Sequence, residues 1–226
     1  MTRAISTIAA SIIVLALVAV LLFTNHTQAS ASALPAPALD DTLASASSQQ
    51  TVVFSGGCFW GIQAVFEHVK GVTTATAGYA GGTAQTADYE TVSSGDTGHA
   101  ESVKVVYDPS KITLGQLLRV FFSVAHDPTQ LNRQGPDYGT QYRSAIFYTT
   151  ENQKKIADAY IKQLNQANVF SAQIVTQLNS NSGFYAAEDY HQDYATKHPN
   201  NPYIMINDAP KVEHLKQQFP ELYKTQ

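Results

Sequence analysis

Cys58 and Trp60 flank Phe59 in Gly57-Cys58-Phe59-Trp60-Gly61, and each is the only residue of its type in a chain of 226. A cysteine acts as a nucleophile through its thiolate, and its pairing with the largest apolar side chain suggests a reactive site. The β-branched run Thr51-Val52-Val53-Phe54 precedes the pair. Ile62, Val65, Phe66 and Val69 follow at helical spacing. Cys58 therefore falls at a strand-to-helix junction. Unpaired backbone N–H groups and the helix dipole favour an anion there, so the thiolate is expected to form more easily than on a free cysteine. Taken alone, a lone cysteine is more often an inert buried side chain. What the rest of the chain brings to it decides the matter.

Three stretches gather polar and aromatic side chains that could serve a thiol: Tyr89 to Glu101, Asp137 to Tyr142, and Glu188 to Tyr194. His99 and His191 invite a Cys-His dyad of the hydrolytic kind, although a structural hydrogen bond is the simpler role for each ring. One histidine among the scattered carboxylates of Glu188-Asp189-Tyr190-His191-Gln192-Asp193 is a weak metal pattern, and its simpler reading is a helix end packed under the site. On their own, Asp137 reads as a turn residue after Pro136, Trp60 as core, and Arg143 as a structural or surface charge.

These residues need a frame. Strands are predicted over 51–55, 71–80, 101–108, 144–149 and 173–178. Thr113 and Gln116 have the form of a capping box opening a helix whose apolar face is Leu114, Leu117, Leu118, Phe121 and Phe122. Thr150 and Gln153 open another, with Ile156, Tyr160 and Leu164 aligned. Residues 184–194 read as a short helix, and 211–219 as a last one stopped by Pro220. Residues 83–99 and 126–143 read as long loops, which in compact domains are often functional. Several strand joins are too short for repeated parallel crossovers. An α+β two-layer sandwich with a mixed or antiparallel sheet fits best.

Residues 1–33 read as a signal peptide or a signal anchor. Arg3 precedes an apolar run over 8–23, and A-x-A sequences at 29–31 and 31–33 fit a cleavage site. Counted from Ala4, the stretch to residue 23 also has the length of a bilayer span, so an uncleaved anchor in an inner membrane stands beside cleavage. Either reading delivers the rest of the chain to a periplasmic or secreted location. Residues 34–50, rich in Ala, Ser and Pro, read as a flexible linker, which leaves 51–226 as one folded domain, expected to be monomeric. A net charge of −4 gives no surface suited to nucleic acid. With one cysteine, no internal disulfide can form.

Gly57-Cys58-Phe59-Trp60-Gly61 resembles the signature of the A-type peptide-methionine sulfoxide reductases, which reduce the S epimer of methionine sulfoxide. Further blocks match in the same order: Gly78-Tyr79-Ala80-Gly81-Gly82, Tyr89-Glu90, residues 94–101, residues 134–144, and Ala187-Glu188-Asp189-Tyr190-His191-Gln192. The resemblance covers nearly all of 51–226 and implies a ferredoxin-like version of the α+β fold. It implies that Cys58 is the nucleophile and that Phe59 and Trp60 form the pocket for the substrate methyl group. Glu101, Tyr89 and Tyr142 match residues that hold and protonate the sulfoxide oxygen, and Asp137 one that helps bind substrate. No metal and no bound cofactor are implied. The partners are oxidised proteins or peptides and a thiol reductant.

The chemistry needs these types. A sulfoxide sulfur yields to a thiol only as its oxygen takes a proton, and a carboxyl group kept neutral by burial can supply one. Phenol O–H groups add hydrogen bonds to the developing charge. The cycle leaves a sulfenic acid on Cys58. Much of the family carries resolving cysteines, whereas this chain has none and has Ser93 where the family often has cysteine. Its reductant is then an external thiol, of thioredoxin-like, glutaredoxin-like or low-molecular-weight type. Two other readings compete: a cysteine hydrolase or acyltransferase, which needs a histidine at the thiol, and a binding domain for oxidised methionine with no turnover.

Overall fold

The computed structural model describes residues 33–225. The apolar run over 8–23 lies outside them, and among the described residues no helix is long and apolar enough to cross a membrane. In chain order the elements are β1 (Gln50–Ser55), α1 (Phe59–Glu67), β2 (Val72–Ala80), α2 (Tyr89–Val92), β3 (Ala100–Tyr107) and α3 (Leu114–Val120), which runs on as a π-helical turn, Phe121–Ala125. A small hairpin follows, β4 (Arg133–Gln134) and β5 (Asp137–Tyr138), then β6 (Ala145–Tyr148), α4 (Glu151–Gln166), β7 (Gln177–Ser180), β8 (Phe184–Ala186), α5 (Tyr194–Lys197) and α6 (Ala209–Gln218).

The main sheet runs β7-β6-β1-β3-β2-β8. Every pairing in it is antiparallel except β6 with β7. Its four central strands, with α1 and α3 as crossovers, form a β-α-β-β-α-β unit in the order β6-β1-β3-β2, the ferredoxin-like arrangement. The fold is thus the α+β sandwich with a mixed sheet that the pattern implied.

Alternation along β1 sends Val52 and Phe54 to the main core, with Ile62, Val65, Phe66, Leu117 and Leu118, and sends Val53 to a smaller cluster with Ala80, Ala145 and Phe147. Phe54 stacks between Phe66 of α1 (4.9 Å) and Phe121 of the π turn (4.7 Å). Burial of a side chain of this size contributes roughly 1.5–3 kcal/mol. Phe54 also fixes both helices to the strand that ends three residues before Cys58.

The helix starts follow their caps. Thr113 and Gln116 form the full capping box at α3. At α4 only half of it forms: Thr150 takes the Gln153 N–H, while Gln153 Oε1 accepts from Thr149 N.

Residues 34–50, expected to be a free linker, are tied down. Arg119 Nε donates to Leu34 O (2.6 Å), Tyr160 Oη to Pro35 O (2.8 Å), and Gln163 pairs through both ends of its amide with Ala36 O and Ala38 N. The segment lacks apolar periodicity because it is held through its backbone by polar side chains on α3 and α4, which composition does not reveal. Asp40 completes the attachment by accepting the Gly115 N–H (2.8 Å) at the first turn of α3.

Other differences have similar causes. The expected loop 83–99 contains α2, capped by Asp88 accepting from Thr91 N, and the loop 126–143 contains the β4–β5 hairpin. The seventh strand falls at 177–180 rather than 173–178. Residues 184–186 form an edge strand on β2 rather than a helix, with the Gln192 amide closing on Ala77 N and Ala77 O like one more rung.

Replacing Asp40 by Ala removes a helix-capping carboxylate. We expect a loss of about 1 kcal/mol, read as a lowered urea midpoint with an unchanged slope; an unchanged midpoint would show that the attachment adds nothing to stability.

Candidate active site

Cys58 is the N-cap residue of α1, with φ −55° and ψ 126°. Of the residue, 8% remains exposed. Gly57 turns the chain into the helix at φ +100°, a conformation that favours glycine, and a side chain there would strike Gln134.

Facing the thiol is Glu101, the second residue of β3, brought opposite Tyr79 of β2 by the sheet register. It is 4% exposed, and its Oε2 accepts the Phe59 N–H at 3.0 Å. Burial pushes its carboxyl up to about 8; the Phe59 N–H opposes this, and the Asp137 and Asp208 charges add to it. At neutral pH Glu101 is therefore mostly protonated, and with Oε2 occupied by the amide, Oε1 is left to carry the proton.

Burial also pushes the Cys58 thiol well above its ordinary value, helped by the charges of Glu101 and Asp208 and opposed by the Trp60 N–H and Lys211. This reverses the expectation from the helix start. A helix terminus is worth only about 0.3–1 kcal/mol at an exposed position, whereas burial can shift a group by several pKa units. The resting group is a thiol.

Tyr89 opens α2, with its N–H donated to Glu188 Oε1 (2.9 Å). Tyr142 ends the 3-10 turn Thr140–Tyr142. The phenols of both are raised, first by burial and next by the Glu101 charge, and the thiol adds a smaller push to each. Both therefore lie within electrostatic reach of Glu101 and Cys58. Arg143 has a structural role: Nη1 donates to His99 O (3.0 Å) and Nη2 to Gly98 O (2.8 Å), tying the loop before β3 to the one that carries Tyr142.

Trp60 is half-buried. It stacks on Tyr194 at 3.8 Å, meets Tyr203 edge-on at 6.0 Å, and donates Nε1–H to His191 Nδ1 at 3.2 Å. Phe59 is 1% exposed, between Tyr79 and His191, so most of its surface belongs to the core. Asp137 accepts from Tyr203 Oη at 2.5 Å.

The histidines do not serve the sulfur. His99 accepts from Gly82 N through Nδ1 and engages Thr83 O through Nε2, and His191 Nδ1 is taken by Trp60. Glu188 accepts from Tyr79 Oη and Tyr89 N, which makes it a brace between β2 and α2. Among the described residues no three of His, Cys, Asp and Glu are grouped to hold a metal ion.

The structure thus gathers Cys58, Glu101, Tyr89, Tyr142 and Trp60, and brings in Asp137 through Tyr203. The sequence reading missed Tyr203, Asp208 and Lys211. Asp208-Ala209-Pro210 carries a helix-start signal, an acidic residue with proline just inside the helix, but nothing in it points to Cys58.

A thiol, a carboxyl group held neutral by burial and two phenols that respond to both are thus grouped on the α+β sheet. Residues 50–223 match the family model described as peptide methionine sulfoxide reductase. The chain is 60% identical over 174 residues to peptide methionine sulfoxide reductase MsrA 2 of Mesorhizobium japonicum, covering 77% of this chain and 89% of that protein. It is 50% identical over 195 residues to the protein of the same name from Synechocystis sp., covering 85% and 91%. Among solved structures it is similar to reduced Mxr1 of Saccharomyces cerevisiae, with a TM-score of 0.61, 31% identity, and 71% of this chain and 94% of that one covered. Methionine sulfoxide reductase A of Corynebacterium diphtheriae gives 0.58 at 37% identity, with 68% and 76% covered. The chain belongs to the peptide methionine sulfoxide reductase family.

Burial of Glu101 has a thermodynamic signature. Its folded value, about 8, lies above the ordinary 4.5. Between those values the folded state holds the extra proton, so stability falls as pH rises through that window. Glu101→Gln removes the effect. We expect the variant to lose less stability than the parent between pH 5 and 9, by the order of a few kcal/mol, in urea titrations at each pH; parallel curves would contradict a buried neutral acid.

Proposed function

We infer that the protein reduces peptide-bound methionine S-sulfoxide to methionine, using Cys58 as nucleophile and Glu101 as proton donor. The observation that carries this reading is the buried Glu101 carboxyl, held by the Phe59 N–H next to the only thiol in the chain.

In the proposed cycle the substrate sulfoxide enters with its methyl group against the half-buried Trp60, which the buried Phe59 supports from the core side. Its oxygen lies toward Glu101, Tyr89 and Tyr142. The aromatic wall accepts a methyl group and the polar side an oxygen, which distinguishes one sulfur epimer from the other. Asp137, with Tyr203, helps hold the peptide. As the Cys58 sulfur attacks, Glu101 Oε1 passes its proton to the oxygen, and the carboxylate so formed takes up the proton that the Cys58 thiol loses. The S–O bond of the substrate breaks, the oxygen is transferred to Cys58 as a sulfenic acid, and methionine leaves, two electrons having moved from cysteine to sulfoxide. An external thiol then condenses with the sulfenic acid to give a mixed disulfide and water, and a second thiol releases Cys58. The single cysteine supports this route, since no partner in the chain can form an internal disulfide. The reductant is a low-molecular-weight thiol or a thioredoxin-like or glutaredoxin-like protein. The apolar run over 8–23 behind Arg3 supports action outside the cytoplasm, on exported proteins.

With dithiothreitol as reductant, the S epimer of a methionine sulfoxide peptide should be turned over and the R epimer left. Cys58→Ser should abolish turnover. Glu101→Gln should slow the single-turnover step by about 10²–10⁴-fold, and the parent rate should fall as pH rises through about 8, where Glu101 loses its proton. Mass spectrometry after substrate and then glutathione should find one oxygen, then one glutathione, on Cys58. Binding of the S epimer without turnover would leave only a recognition domain.

A further inference from the structure

Asp208 ends the π-helical turn Ile204–Asp208 that leads into α6. It is fully buried; Oδ1 accepts from Lys211 Nζ at 3.0 Å, while Oδ2 has no hydrogen-bond partner. The pair packs against Gly61, three residues after Cys58 and one helical turn along α1. A Cβ there would lie 2.1 Å from Asp208 Oδ1 and 2.7 Å from Lys211 Nζ. The ion pair therefore occupies the space that a side chain on α1 would otherwise fill.

An orphaned carboxylate oxygen is a poor stabilising device. Burying a charged pair costs about as much as its attraction returns, and apolar residues of similar volume often serve stability equally well. Its placement suggests another role. Asp208 pushes the Cys58 thiol up and Lys211 pushes it down, so the two charges reach the sulfur with opposite sign.

The other titratable groups around the thiol are Glu101 from β3, Tyr89 from α2, Tyr142 from the turn before β6, and Tyr203 from the segment before α6. Asp137 acts on Glu101. His126 lies behind Gly56, pushed down to about 3 by burial and so neutral, and His191 is turned to Trp60. With Glu101 protonated and the phenols neutral, Asp208 and Lys211 are the opposite charges left against the first turn of α1 among the described residues.

We propose that the buried Asp208–Lys211 pair is a positioning element for Cys58: by fixing two opposite charges against Gly61, in the first turn of the helix that Cys58 caps, it sets the reactivity of the thiol. The carboxylate opposes formation of a second negative charge beside it, and the ammonium limits that opposition. The proposal rests on Cys58 as the reacting group.

The test is the pH dependence of Cys58 alkylation by iodoacetamide in the full chain, where a single cysteine makes the adduct unambiguous. Asp208→Asn keeps the shape but leaves Lys211 uncompensated. The alkylation midpoint should move down and the rate at pH 7 rise several-fold. Lys211→Met should move the midpoint up and slow the rate, and Lys211→Arg should restore the parent profile. A purely structural role would lower thermal stability in both variants without shifting the midpoint in opposite directions. Shifts of one sign, or no shift in folded protein, overturn the proposal. Should Asp208→Asn fail to fold, Lys211→Gln at the partly exposed partner decides alone: an upward shift supports the proposal and an unmoved midpoint sinks it. Alkylation reads the thiol whether or not sulfoxide is turned over, so failure of the proposed function and failure of this inference are separable.

Discussion

The hydrogen bond from the Phe59 N–H to Glu101 Oε2 joins the first residue of α1 to the second residue of β3. It satisfies one of the orphan donors of the helix with a side chain from another element. It also fixes which carboxyl oxygen is occupied and places the acid beside the residue that caps the same helix. The rest of the site is arranged around that contact. Tyr89 and Tyr142 come within reach of Glu101 from separate loops, and Trp60 follows one residue along the helix.

A contact of this kind survives only on a rigid support, because a carboxyl group with a route to water would be solvated and ionised. Rigidity comes from the stacking of Phe54 between Phe66 and Phe121 and from the long pairing of β2 with β3. The braces farther out are polar. Glu188 links Tyr79 to the Tyr89 backbone, Arg143 links residues 98 and 99 to the turn at Tyr142, and the Gln192 amide pairs with Ala77. The core positions the helix, while these hydrogen bonds position the loops.

The central frame was legible because β1, β3, α3 and α4 carry clean apolar periods, and Thr113 with Gln116 is a strong local signal. The site residues Cys58, Glu101, Tyr89, Tyr142 and Trp60 were named through motif resemblance; their convergence depends on strand register and loop bracing, which have no local signature. Residues 34–50 were misread because their partners, Arg119, Tyr160 and Gln163, are more than eighty positions away. Residues 184–186 were misread because aromatic richness does not distinguish a helix from an edge strand. The state of the Cys58 thiol was misjudged because a helix start is visible in sequence and the depth of burial is not. Asp208 and Lys211 looked like an ordinary helix opening.

The environment of Trp60 has one more consequence. It is the only tryptophan in the chain, two residues after Cys58, stacked face to face on Tyr194 with its indole N–H on His191. All tryptophan emission from this protein therefore originates beside the thiol. A change in the sulfur's oxidation state or a ligand displacing the Tyr194 ring acts on the sole indole fluorophore, without background from elsewhere in the fold. The molecule carries a built-in optical reporter of the surroundings of its one thiol.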